Sequence, residues 1–273
     1  MSFRKLTAIA LILFSGSLAA QTISISTSGN EVEADIDFLL GLGADLTLEF
    51  DSAFGLSASS VGISASIVNP LNIGLLSRLP SVDVSIPSAF PMLITVEPPL
   101  TGGLGFTDTV LVEIHTHHLS LLPNTPFRLF KASLGGDFED ITETIGAGSI
   151  RSRGRTGGFS QFLILADLRS HDTVGDVKFD GIEDYLDDLS LPTAVDSGLR
   201  AHLSNARTHF EAQDYTDAED DIDLFISAVE SAAGSSIPNV WRAARDLENA
   251  AGNLVGKASS LRFTLRMAES LSP

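Results

Sequence analysis

Glu113, His115 and His117 are the residues of this sequence best suited to chemistry. Alternate residues of a β-strand leave the same face, so the three side chains would share one side, with Val112, Ile114 and Thr116 on the other. Two imidazoles and a carboxylate suit zinc or another divalent metal, with a fourth position left for water. Water bound in that way is a nucleophile near neutral pH, the basis of a metallohydrolase. The competing reading is favoured: the solvated face of a half-buried strand that runs out into a wet loop at His118 and Ser120. A metal centre needs a converging outer shell, which no single strand supplies.

Arg151, Arg153 and Arg155 also alternate and form the basic cluster of an acidic chain. Together they could hold a carboxylate, a phosphate or an acidic sugar by paired hydrogen bonds. Pairing with carboxylates of neighbouring strands competes with that and is favoured, because the chain has many acids. Six acids lie between Asp214 and Asp223, but no glycine supplies the sharp turn of a calcium loop. Ala218, Ile222 and Phe225 make that stretch a solvated helix face. Asp172, Asp176 and Asp180 recur every four residues, with a polar linker as their default reading. A strained nucleophile turn is missing: Gly158-Phe159-Ser160-Gln161-Phe162 lacks the second glycine. Gly41-Leu42-Gly43 lacks the lysine of a phosphate loop. Trp241, at an apolar helical position, reads as packing rather than a sugar platform.

The elements that must position these residues change texture near residue 170. Before it, apolar residues alternate with polar ones: Ile23 and Ile25; Val32, Ala34, Ile36 and Phe38; Ala44, Leu46, Leu48 and Phe50; Val61, Ile63, Ala65 and Ile67. Period two with one apolar face predicts strands with one side on a core. A proline-rich bridge, Pro80 to Pro99, interrupts them. Strands resume at Val110 to His115, Phe127 to Phe130, Ile141 to Ile145 and Phe159 to Ala166, the last of them buried. After residue 170 the apolar spacing becomes three and four. Phe179 to Leu189, Leu199 to Phe210 and Tyr215 to Val229 predict three helices. A fourth is expected to open at Ile237-Pro238 and carry Trp241, Ala244, Leu247, Ala251 and Leu254 on one face, weakened by Gly252 and Gly256.

The chain has 273 residues, 35 Asp+Glu, 17 Lys+Arg and no cysteine. That length suits about two domains, and the absence of cysteine excludes disulfides, thiol catalysis and Cys-ligated zinc. The acidic excess excludes a nucleic-acid binder resting on bulk positive charge. Residues 1–20 have the parts of a secretory signal: Arg4 and Lys5, an apolar run from Leu6 to Phe14, then small residues with cleavage after Ala19 or Ala20. The run is shorter than the roughly 20 residues of a membrane span, so a retained anchor is the weaker alternative. No transmembrane segment is expected after signal removal, and the protein is expected to be secreted or periplasmic.

Phe127-Arg128-Leu129-Phe130, Gly136-Asp137-Phe138 and Phe159-Ser160-Gln161-Phe162 resemble the strand, turn and closing strand of a secreted ZU5-like β-sandwich module. Leu203, Ala206 and Phe210, then Asp214-Tyr215, Ala218, Leu224-Phe225-Ile226 and Val229, resemble a FIMAH-type helical module of secreted bacterial proteins. With Ile237-Pro238-Asn239-Val240-Trp241-Arg242 and Leu261-Arg262-Phe263 added, nearly the whole mature chain is similar to a family of uncharacterised secreted proteobacterial proteins. The resemblance implies export and a two-part fold and carries over no catalytic residue.

The expectation is an α+β multidomain protein: a signal peptide (1–20), an antiparallel β-sandwich of immunoglobulin/ZU5-like type (21–170, with N-terminal strands over 21–85 and the ZU5-like part over 86–170), and a small helical bundle (171–273). The N-terminal strands are expected to complete the sandwich. The leading function is an exported, non-catalytic binding or structural module, its partner a protein or carbohydrate at the cell envelope and not nucleic acid. The alternative is a metal-binding protein or metallohydrolase built on Glu113, His115 and His117, and the anion site is Arg151, Arg153 and Arg155. No cofactor is expected under the first reading, and zinc or another divalent metal under the second.

Overall fold

The alternation of apolar and charged residues that begins at Val32 is built into strands in the computed structural model, which describes residues 21–38, 41–120, 124–146 and 148–271. The expected signal peptide lies outside the described residues. β1 (Gln21–Ser28), β2 (Glu31–Phe38) and β3 (Gly43–Phe54) form an antiparallel meander, and β4 (Ile63–Ile67) follows. The short helix α1 (Ile73–Leu76) and β5 (Val84–Ser85) lead to β6 (Met92–Val96) and the long β7 (Gly105–Ser120). β8 (Phe127–Ala132), β9 (Glu139–Asp140), β10 (Thr144–Gly146), β11 (Ser149–Thr156) and β12 (Gln161–Asp167) complete the run. The larger sheet has the order β1-β2-β3-β7-β11-β10, and the smaller has β4-β6-β12-β8-β9 with β5 also on β12. All pairings between these strands are antiparallel. The N-terminal strands therefore complete the sandwich rather than forming a sheet of their own.

The core between the sheets takes Val32, Ile36, Leu46, Leu48 and Ile114 from one side and Met92, Ile94, Leu129, Phe162 and Ile164 from the other. The smaller sheet is buried on both faces. Its outer side holds Phe130, Leu163 and Leu165 under Leu75, Val84 and Ile86, contributed by the segment that includes the proline-rich bridge. This explains why Phe162 to Leu165 reads as an unbroken apolar run. The outer face of the larger sheet is polar, since β2 turns Glu33, Asp35 and Asp37 to solvent.

Four longer helices follow: α2 (His171–Asp188), α3 (Thr193–Glu211), α4 (Tyr215–Ala232) and α5 (Ala250–Leu271). They enclose a second core of Phe179, Leu203, Phe210, Ile222, Phe225, Leu254 and Leu261. No linker separates them from the strands. Ser170 caps α2, its hydroxyl accepting from the Thr173 amide at 3.2 Å, so Asp172, Asp176 and Asp180 are helical.

The expected fourth helix at Ile237 is corrected. Val240–Arg242 is a strand, β13, which pairs with Gly105–Thr107 of β7 where β11 has already left. Trp241 stacks on Phe106 at 5.4 Å between ring centroids and meets Phe159 edge-on at 5.1 Å. Long-range pairing and an aromatic cluster thus override a local period-four pattern. The helix starts at Ala250, and the two glycines expected to weaken it are what dock it. A side chain at Gly252 would strike the Asp108 carbonyl, and one at Gly256 would lie 2.5 Å from the Arg155 carbonyl. α5 therefore lies directly on the backbone of β7 and β11. No described helix is long and apolar enough to cross a membrane.

Candidate functional site

Register decides which side chains meet on the open face of the larger sheet. Asp35, Asp45, His115 and Arg151 face one another across β2, β3, β7 and β11, and Glu33, Thr47, Glu113 and Arg153 form the next row. Glu113 and His115 therefore leave the same face, as expected, yet they acquire different neighbours.

Glu113 is taken by the arginines. Its carboxylate is bound by Arg153 Nε, and Arg151 Nε lies 3.2 Å from its second oxygen. Its side chain is only 14% exposed. His115 and His117 are brought together with Asp45 instead, a residue that the sequence reading missed. Asp45 Oδ2 lies 3.0 Å from His115 Nδ1 and 3.1 Å from His117 Nε2. One ligand atom from each residue falls within 4.8 Å of the others. Burial pushes the Asp45 carboxyl up, but hydrogen bonds from His117 and His115 and their positive charge outweigh it and hold the group below its usual range. The set of metal-ligand type is thus Asp45, His115 and His117, with Glu113 displaced from the expected triad.

The outer nitrogen of the His115 ring also faces oxygen. His115 Nε2 is 2.6 Å from Ser149 Oγ. His117 Nδ1 and Asp37 Oδ1 both lean over Gly43, where a side chain would begin 2.9 Å from the first and 2.7 Å from the second. Asp45, His115 and Ser149 thereby line up as acid, imidazole and hydroxyl. For that line to activate Ser149, Nδ1 must carry the proton and Nε2 must accept from the hydroxyl. Asp45 Oδ2, which can only accept, lies 3.0 Å from Nδ1 and calls for the proton there, while Arg151 Nη2 lies farther off at 3.5 Å. Ser149, however, sits in the ladder opposite Ser120, so its backbone is committed to strand pairing rather than to an oxyanion hole.

The expected anion cluster is internally paired. Besides the two arginines on Glu113, Arg155 Nε lies 3.1 Å from Glu143 and its Nη1 is 3.9 Å from Asp51. The acidic stretch Asp214 to Asp223 lies on α4, where Glu219 meets Arg266 at 2.7 Å and Asp223 binds Arg262.

Around these pairs the face is hollow. A depression of about 450 Å³ is lined by Glu33, Asp35, Asp45, Glu113, His115 and Arg153 among others. Further along the same strands, past Leu111 and Arg155, a second of about 550 Å³ is walled by Ile226 and Glu230 of α4 and Val255 and Arg262 of α5.

A family pattern matches residues 8–269, nearly the whole chain. The chain belongs to DUF6689, a family of unknown function. Membership of DUF6689 carries with it no activity and no site residue. No curated protein matches the chain, and no solved structure does.

Proposed function

We propose that this DUF6689 protein is an exported, non-catalytic binding module whose ligand lies along the outer face of the larger sheet. The observation that carries the reading is the pair of adjoining polar hollows, whose charged side chains are held in place by one another. A surface of fixed charges needs little reordering to accept a polar ligand. Acids on β2 and β3 beside arginines on β11 suit a ligand with both donors and acceptors, such as a polysaccharide or an extended peptide of the cell envelope. The leader-like residues 1–20 and the ZU5-like and FIMAH-type resemblances support export, which puts the module in the periplasm or outside the cell. The committed backbone of Ser149 supports binding over acyl transfer.

The test is calorimetric titration of the mature protein with a panel of neutral and acidic envelope polysaccharides and peptides. Saturable binding that Arg153→Glu weakens by about tenfold or more is expected. Turnover of an ester, peptide or glycoside that disappears in Ser149→Ala would overturn the reading.

A further inference from the structure

We propose that Asp45, His115 and His117 bind a divalent transition metal of zinc type through Asp45 Oδ2, His115 Nδ1 and His117 Nε2. The inference stands whether or not the same face takes a larger ligand.

Spacing is the first support. Four-coordinate zinc with bonds of about 2.0–2.1 Å sets its ligand atoms about 3.3 Å apart. Here the carboxylate oxygen lies 3.0 and 3.1 Å from the two ring nitrogens, so small side-chain rotations admit the ion. Strands β3 and β7 hold the three residues, and the flanking ladders fix both strands.

The outer shell is the second. Metal-bound histidines pass their other ring N–H to an oxygen. Ser149 Oγ waits 2.6 Å from His115 Nε2, while His117 Nδ1 borders the space that Gly43 leaves open. The two histidines would therefore bind through different nitrogens, His115 through Nδ1 and His117 through Nε2, the atoms that face Asp45.

The third support is electrostatic. Without an ion, Asp45 Oδ2 accepts the His115 Nδ1 proton at 3.0 Å. A divalent ion would take the place of that proton, releasing it to solvent, and the carboxylate's negative charge favours the exchange. Two imidazoles in the set select a transition metal over calcium or magnesium, which prefer oxygen alone. Three protein ligands leave a fourth position toward solvent. Arg151 opposes the ion, and its hold on Glu113 gives the guanidinium somewhere to withdraw.

The mature protein, stripped with a chelator, is titrated with zinc chloride by calorimetry and with cobalt(II) followed by visible absorption. A single equivalent of zinc bound at about micromolar affinity or tighter, with the intense bands of four-coordinate cobalt, is expected. His117→Gln and Asp45→Asn should abolish tight binding. Ser149→Ala should weaken it by about 10- to 100-fold at unchanged stoichiometry, and Arg151→Gln should tighten it. Thermal melts with chelator present check that each variant is folded. Histidine ring NMR of the unmutated protein gives a readout free of variants: the His115 and His117 signals should move together with zinc while His202 and His209 stay fixed. Zinc that binds the His117→Gln protein as well as the unmutated one, an Arg151→Gln variant that binds more weakly, or shifts at His209 in place of His117 would each overturn the site.

Discussion

Lys178→Met is expected to cost the fold about 4 kcal/mol at pH 7, and much less in mild acid. Lys178 crosses from α2 to the sandwich. Its ammonium lies 2.8 Å from Asp140 Oδ2 and donates to the Ser260 carbonyl, Ser260 Oγ and Thr264 Oγ1 at 3.0, 2.7 and 2.9 Å. The two side chains are 9% and 4% exposed. Methionine keeps the length of the stem and removes the charge. Of its hydrogen bonds Asp140 then retains only those from the Thr142 amide and hydroxyl, at 2.8 and 2.6 Å, with the Arg128 guanidinium as a remaining nearby cation. A buried carboxylate stripped of its partner costs about 3–5 kcal/mol. It has one escape, which is to take up a proton. From an ordinary value of 3.8, that escape costs about 4 kcal/mol at pH 7 and about 1.6 kcal/mol at pH 5, at about 1.4 kcal/mol per pH unit. The penalty therefore has a ceiling that falls as the solution is acidified. Urea unfolding of both proteins at the two pH values measures it, with the fluorescence of Trp241, the one tryptophan, reporting on the sandwich and far-ultraviolet dichroism on the helices. A cost below about 1 kcal/mol at pH 7, typical of an exposed pair, would refute the reasoning. So would a cost that does not shrink at pH 5.

The same pair sets an acid limit for the unmutated protein. Burial raises the Asp140 carboxyl, but Lys178 and the Thr142 hydrogen bonds outweigh it and hold the group below 3.8. Its contribution is thus complete above that value and is lost as pH falls through the lowered one, which acid unfolding of Asp140→Asn beside the native chain should reveal as a smaller slope. Two glycine substitutions should move stability in opposite directions: Gly198→Ala in α3, where nothing lies within 4 Å of the new methyl, should stabilise by about 0.5–1 kcal/mol, whereas Gly256→Ala, driven against the Arg155 carbonyl, should destabilise by about 1–3 kcal/mol. Equal thermal shifts for the two would mean that α5 does not touch the sheet backbone. N-terminal sequencing of the protein secreted by an exporting host should begin at Ala20 or Gln21, and a start at Met1 would remove the leader.

The strands were legible wherever one face meets the core and the other meets water, as from Val32 to Phe38 and from Ala44 to Phe50. Three helices were legible for the same reason at period 3.6, each burying one stripe, such as Leu199, Leu203, Ala206 and Phe210. The stretch from Ile237 to Glu248 was not, because its conformation is set by Gly105–Thr107, more than a hundred residues earlier, and by a positive φ at Arg245. The candidate site was half legible. Alternation put His115 and His117 on one face, but only the pairing register could show that His115 faces Asp45 while Glu113 faces Arg153. A one-residue slip of β3 would have turned Asp45 into the core. Asp45 itself was visible as the first acid of an outward row. Ser149 gave no signal, since a serine beside a glycine reads as a turn.

The contact of α5 with β7 and β11, together with the β13–β7 pairing, has a consequence for the order of events in the life of the chain. Gly105–Thr107 and the Asp108 carbonyl wait for partners at Val240–Arg242, Asn249 and Gly252. One end of the sandwich and its aromatic cluster are therefore finished by a segment more than a hundred residues later in the chain. Such distant pairings make folding slow. If the chain is exported as proposed, slow closure of that end would help keep it in the loose form that a narrow channel requires. The same dependence makes α5 a checkpoint: a chain truncated before Ala250 lacks the helix that covers β11 and should be cleared by proteases rather than accumulate as a free sandwich.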